Sequence, residues 1–219
     1  PRPSRRGPSA RFVALILRIA PAPPAQTADV TPADVKKAAR LRYAIPTAIA
    51  ITPILVALPH APTWALWSPL WLASEGLGAA VTAVSTPAVG DAVASGTFTL
   101  AVLLLLRRGL ARMGGLAAAA LAEERAFREG AEQRGWRDRA RSHAAFAVAH
   151  LGNLYVPIIA MVFLAAFGAR FTAAYRREHR RSGDRRQALA VSAAVHYVHN
   201  LTVFASIPVF VVVAVVGAL

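Results

Sequence analysis

The stretch QALAVSAAVHYVHNLTVFASIPVFVVVAVVGAL (187–219) carries no formal charge from end to end. A helix needs about 20 mostly apolar residues to cross a bilayer, and this run is long enough to do so. The same pattern recurs upstream. Ser142 to Ala169 has no charged residue, and Tyr43 to Leu106 has only Glu75 and Asp91. Apolar residues make up 56% of the chain, and its mean hydropathy of +0.44 is high for a soluble domain. The expected fold is an all-α, polytopic integral membrane bundle of about 6–8 apolar helices. Some of these helices are expected to be short or re-entrant. Prolines at 157 and 208 predict breaks that leave the helices Ser142 to Asn153, Pro157 to Tyr175 and Gln187 to Asn200, with a final run interrupted at Pro208. A helix of about a dozen residues is roughly 18 Å long, which ends inside a bilayer and does not cross it.

Charge argues the same way. A net charge of +14 and a pI near 11.7 would point to nucleic acid in a soluble chain. Here the arginines flank apolar segments, at Arg107, Arg108 and Arg112, then Arg134 to Arg141, then Arg176 to Arg186. The last two read as solvated basic loops. Juxtamembrane clusters follow the positive-inside rule and attract anionic headgroups, so the expected partner is the lipid bilayer and not nucleic acid. The chain has no cysteine, which excludes a disulfide framework, a thiolate zinc site and a cysteine nucleophile. Alanine- and arginine-rich usage suggests a bacterial source, and hence the plasma membrane.

Two regions are expected. Residues 1–42 form a basic, proline-containing segment with one short amphipathic helix. That helix starts at Thr31-Pro32-Ala33-Asp34, with Thr31 as N-cap, proline at the first helical position and an acid in the first turn. Residues 43–219 form the transmembrane domain, beginning with a span from Tyr43 to Leu58. Trp64, Trp67 and Trp71 read as an aromatic belt at the headgroup level.

Polar residues inside such a chain are the candidates for function. Glu123 and Glu124 follow the alanine-rich run Leu116 to Ala122, on a helix read as Met113 to Gln133. An ionised side chain near lipid costs about 2.5–3.5 kcal/mol by insertion scales, so it usually faces the bundle interior. Glu124 and Arg128 are four apart and share a face. The plain alternative is a surface amphipathic helix, since Arg125, Glu129 and Glu132 follow. His150 stands alone on an apolar helix, where histidine often serves as an interhelical hydrogen bond. His196 and Asn200 share a helix face, whereas His199 is rotated off it and is free to meet a headgroup.

Taken in order, these residues make three patterns: EExxxR at Glu123, Glu124 and Arg128; FxxxH at Phe146 and His150; HxxxN at His196 and Asn200. The set resembles the CAAX-protease and bacteriocin-processing (CPBP or Abi) family of intramembrane proteases, over about residues 100–219. Glu129 stands where many members have glycine, and the basic stretch Arg176 to Arg186 is an unusual insertion. The resemblance implies an intramembrane endopeptidase. Glu123, assisted by His150, would deprotonate a water, and partial desolvation would make it a better base. His196 and Asn200 would hold the oxyanion. Glu124 with Arg128 would be a positioning pair, and Phe146 would pack beside the site. No cofactor is required on this mechanism. Zinc is the alternative, with Glu123, His150 and His196 as its three ligands. The rival class is a non-catalytic membrane protein, a scaffold, an immunity-type protein or a small transporter, using the same residues for helix contacts.

Overall fold

The computed structural model describes residues 29–57, 69–111, 113–150 and 160–217, and every regular element among them is helical. In chain order these are α1 (Pro32–Ala38), α2 (Ile45–Ala57), α3 (Pro69–Thr82), α4 (Pro87–Ala111), α5 (Leu116–Phe127), α6 (Trp136–Ala149), α7 (Ala160–Ser182) and α8 (Arg185–Gly217). Single 3-10 turns at Leu41–Tyr43 and Met113–Gly115 precede α2 and α5.

The start of α1 shows how local chemistry sets the chain. The Asp34 backbone N–H donates to Thr31 Oγ1 at 3.3 Å, and the Thr31 backbone N–H donates back to Asp34 Oδ2 at 2.9 Å. Two of the orphan donors at the helix start are satisfied by this reciprocal box. Val30 and Val35, on either side of it, bury against Leu121, Tyr175 and Leu189. The short N-terminal helix is therefore seated in the same core as α5, α7 and α8.

The helix boundaries differ from the expected ones at three places. α5 stops at Phe127 and does not run on to Gln133. Gly130 takes a positive φ of 80°, which turns the chain, and the Phe127 carbonyl left open accepts from Ser142 Oγ (2.6 Å) and Arg134 Nη1 (2.6 Å). The basic stretches read as loops are largely helical. α6 already begins at Trp136, and α7 continues to Ser182 before Gly183 (φ 69°) turns the chain into α8. Arginine is a good helix former, so a charge run alone does not mark a loop. Pro208 does not interrupt α8, which runs 33 residues through it. An interior proline removes one ladder bond and crowds the carbonyl four residues back, a cost of about 3 kcal/mol that α8 carries without ending there.

The expected first span, Tyr43 to Leu58, is described as far as Ala57. Its described part, α2, has 13 residues, about 20 Å. Among the described residues one stretch, Arg185–Ser206 of α8, is long and apolar enough to cross a membrane by length and composition, and over half of it is buried within the protein. A buried core helix meets the same criterion. Trp64, Trp67 and Pro157 lie outside the described residues, as do residues 1–28.

Candidate active site

α8 is the central post of the site. Leu189, Ala193 and Ala194 on one of its faces are fully buried against α5 and α7. Alanines at these positions let the helices approach closely. Ser192 and His196, one turn apart on α8, then reach the end of α5. Ser192 Oγ lies 2.5 Å from Glu124 Oε2 and 3.0 Å from the Phe171 carbonyl of α7, and His196 Nδ1 lies 3.0 Å from Glu124 Oε1. Glu124, Ser192 and His196 are all buried. Their mutual bonds satisfy the carboxylate, as buried charge requires.

Arg128 completes the charge balance. Its Nη1 lies 3.6 Å from Glu124 Oε1, with both side chains fully buried. The guanidinium rests over the Phe146 ring at 4.0 Å, and Phe127 and Phe171 flank it at 5.4 and 5.6 Å. Cation–π contacts of this sort gain strength when desolvated. Gly168 of α7 leaves the room: a Cβ there would come within 2.9 Å of Arg128 Nη2 and 3.2 Å of the Phe146 ring. The surface-helix alternative for this stretch fails, because Glu124, Arg128 and Glu129 are each buried.

Glu123 points the other way around α5 and stays 35% exposed. Its Oε2 lies 3.7 Å from His150 Nε2 and 3.6 Å from His196 Nε2. That oxygen is enclosed and has no hydrogen-bond partner among the described residues. Both histidines are locked at their other nitrogen. His150 Nδ1 is 2.8 Å from the Phe146 carbonyl, which can only accept, so the proton sits on Nδ1. His196 Nδ1 is held in the same way by the Glu124 carboxylate. In the neutral rings, each Nε2 lone pair therefore faces the same glutamate oxygen. Three electron-rich atoms from α5, the end of α6 and α8 converge on a point where a shared proton or a cation is favourable. Phe146 packs edge-on to His150 (ring centroids 4.6 Å apart) and to His196 (5.6 Å), and Phe171 stacks flat on His196 at 4.4 Å.

The structure thus brings Glu123, Glu124, Arg128, Phe146, His150 and His196 together. Asn200 follows one turn after His196 on α8, half-buried, and makes no hydrogen bond to another described residue. Two details change the expected roles. The nearer partners of Glu124 are Ser192 and His196, with Arg128 further off. His196 with Nδ1 tied to a carboxylate can donate from Nε2 only as an imidazolium. His199 does not meet a headgroup. It is buried, and its Nδ1 lies 3.1 Å from Thr47 Oγ1 of α2, with Phe167 at 4.1 Å between ring centroids. Ser192 and Phe171 were not identified from sequence, since a serine and a phenylalanine on apolar helices carry no spacing signal.

Zinc has donor chemistry in its favour here, with two imidazole lone pairs and a carboxylate. The spacing is less suited. Ligand atoms of a tetrahedral zinc sit about 3.3 Å apart, given bonds of about 2.0–2.1 Å. The separations of 3.6 and 3.7 Å are wider. Among the described residues no three such side chains are arranged to hold a metal ion.

Compared with family models, with curated proteins and with solved structures, the chain matches none.

Proposed function

We propose that the chain is a polytopic membrane endopeptidase of CAAX-protease-like chemistry, acting on a peptide or protein presented at a bacterial plasma membrane. The observation that carries this reading is Glu123 Oε2, placed between His150 Nε2 and His196 Nε2 at 3.7 and 3.6 Å on three separate segments. The uncharged length of α8 after Arg186 and the exposed leucines of α3 and α4 support the membrane setting.

In this mechanism a water bound beside Glu123 and His150 gives its proton to the glutamate, and its hydroxyl adds to the scissile carbonyl carbon. Charge moves to the carbonyl oxygen. His196, as imidazolium, donates to that oxyanion from Nε2, with the Glu124 carboxylate at 3.0 Å as its counter-charge. Asn200 is the second donor, one helical turn along. Collapse of the intermediate breaks the C–N bond as the proton passes from Glu123 to the leaving nitrogen. Loss of one oxyanion donor typically costs 10²–10³ in rate. No step is routed through a metal, and Glu123, His150 and His196 would be the ligands if zinc were bound.

The test is Glu123→Ala and His150→Ala in a cleavage assay on membrane-presented peptides, with membrane insertion measured separately. The expected outcome is loss of cleavage by about 10²–10⁴-fold in inserted, folded protein. Retained cleavage in either variant would overturn the mechanism. Cleavage abolished by a stringent chelator and restored by zinc would replace the metal-free version with a zinc one.

A second reading rests on a specific observation. The Glu124–Ser192–His196 network is fully enclosed and ties α5, α7 and α8 together, as interhelical polar contacts in a non-catalytic scaffold would. Lost insertion in the same two variants would favour it.

A further inference from the structure

Two cavities lie away from Glu123. One, of about 570 Å³, runs between the turn at Leu41–Tyr43, the start of α2, and the facing sides of α7 and α8. A second, of about 620 Å³, shares Arg42, Tyr43, Glu178 and Val191 with it and continues out past Lys37 and Arg40. Together they make one groove with two characters. Its inner wall is apolar, from Pro46, Ala173, Ala174, Val191 and Val195. Arg42, Arg170 and Arg177 stand at its inner end, and Lys37, Arg40, Arg181 and Arg186 at its mouth beside Asp34 and Asp184, of which Asp34 is paired with Arg186 at 3.6 Å.

The charges there are not balanced from within. Arg170 and Arg177 are seven apart on α7, with Ala173 and Ala174 between them, so all four share one face. Arg170 is half-buried, yet among the described residues it donates only to neutral acceptors, the Tyr43 carbonyl at 2.6 Å and Thr47 Oγ1 at 3.1 Å. Glu178, the carboxylate common to both cavities, is already held by Arg181 through two bonds of 2.6 and 3.1 Å. Arg42 lies over the Tyr43 ring and makes no ion pair with another described residue. Beside the mouth the chain exposes Leu41, Ile45 and Ile49, at 88%, 58% and 67%. A cationic pocket with an apolar floor and exposed aliphatic side chains at its rim suits an anion that carries a hydrocarbon tail.

We propose that this groove binds one anionic phospholipid, its phosphate held by Arg42, Arg170 and Arg177 and an acyl chain lying along Pro46, Ala173 and Val191. The site rests on the membrane reading above and is independent of the cleavage chemistry. Arg170 also pins Tyr43 and Thr47, so the lipid would brace the segment that packs on His199.

The full chain, reconstituted in nanodiscs of phosphatidylglycerol or of phosphatidylcholine, tests this by native mass spectrometry of the lipid retained. Wild type is expected to keep one phosphatidylglycerol and no phosphatidylcholine. An Arg42→Gln, Arg177→Gln double variant, which leaves both Arg170 bonds in place, is expected to hold it roughly fivefold more weakly per arginine removed. Inorganic phosphate alone is expected not to displace the lipid. Equal retention of the two lipids, unchanged retention in the double variant, or displacement by phosphate would each overturn the site while leaving the membrane reading intact. A chain that stays in the aqueous fraction without detergent would remove both.

Discussion

The α3–α4 hairpin and the α5–α8 core are built on opposite rules. In the core, charge and hydrogen-bonding groups face inward: Glu124, Arg128, Ser192 and His196 are buried and pair with one another. Among the described side chains of the hairpin, small residues lie inside and large apolar ones face out. Leu72, Leu77, Leu100, Leu103 and Leu104 are exposed, while Gly78, Gly90 and Ala94 are buried between the two helices. A Cβ at Gly78 would meet Ala94 Cβ and the Gly90 carbonyl at 2.8 Å, and one at Gly90 would overlap Thr82 Oγ1. The hairpin gains its contact from close backbone approach, as helices do where the surroundings are as apolar as their side chains. The core gains its specificity from partners that must all be present.

That contrast is open to test. Arg128→Ala should give the largest effect, because it takes away the buried cation that balances the Glu124 carboxylate. Removing one partner of a buried pair costs about 3–5 kcal/mol. Glu124→Leu with Arg128→Met together should cost less than either change alone, measured by denaturant unfolding in detergent. If the double variant is no better than the singles, the pair is not the core's organising element. Gly90→Leu should come next, at about 1–3 kcal/mol of overpacking, and should be confined to α3 and α4. Hydrogen exchange would read this as faster exchange in the hairpin with unchanged protection at Leu189 to His196. Spread into α8 would break the two-rule description. Ser192→Ala should cost about 1–3 kcal/mol, from a buried carboxylate oxygen losing its donor.

The smallest effect belongs to the cap of α1. Thr31→Ala should cost about 1 kcal/mol. The Thr31 backbone N–H, then its hydroxyl, then Arg186 hold the Asp34 carboxyl below its ordinary value of 3.8. Its contribution is therefore present above that value, and it is lost as pH falls through the lower value of the folded protein. Acid unfolding of wild type and Asp34→Asn should converge below that window and differ above it.

His150 and His196 were legible in the sequence because ionisable groups within uncharged runs stand out, and Glu123 because it ends an apolar, alanine-rich run; helical spacing gives their faces. The same spacing could not say what stood opposite. Thr47 is 152 residues from His199 in sequence, so nothing local marked His199 as an inward-facing residue. Ser192 and Phe171 were hidden for a different reason: their chemistry is ordinary and only their neighbours make them structural. The all-helical class was readable from the apolar runs, whereas the ends of α5, α6 and α7 were not. Those ends are decided by Gly130 and Gly183 taking positive φ, and by Ser142 and Arg134 closing the Phe127 carbonyl.

Gly168 carries one more consequence. Because its missing side chain is the space that Arg128 occupies, positions 128 and 168 are a lock of fixed total size. A relative of this chain with alanine or serine at 168 should carry something shorter than arginine at 128, and one that keeps the arginine should keep the glycine. The two positions are 40 apart in the chain, yet they should drift through evolution as a pair.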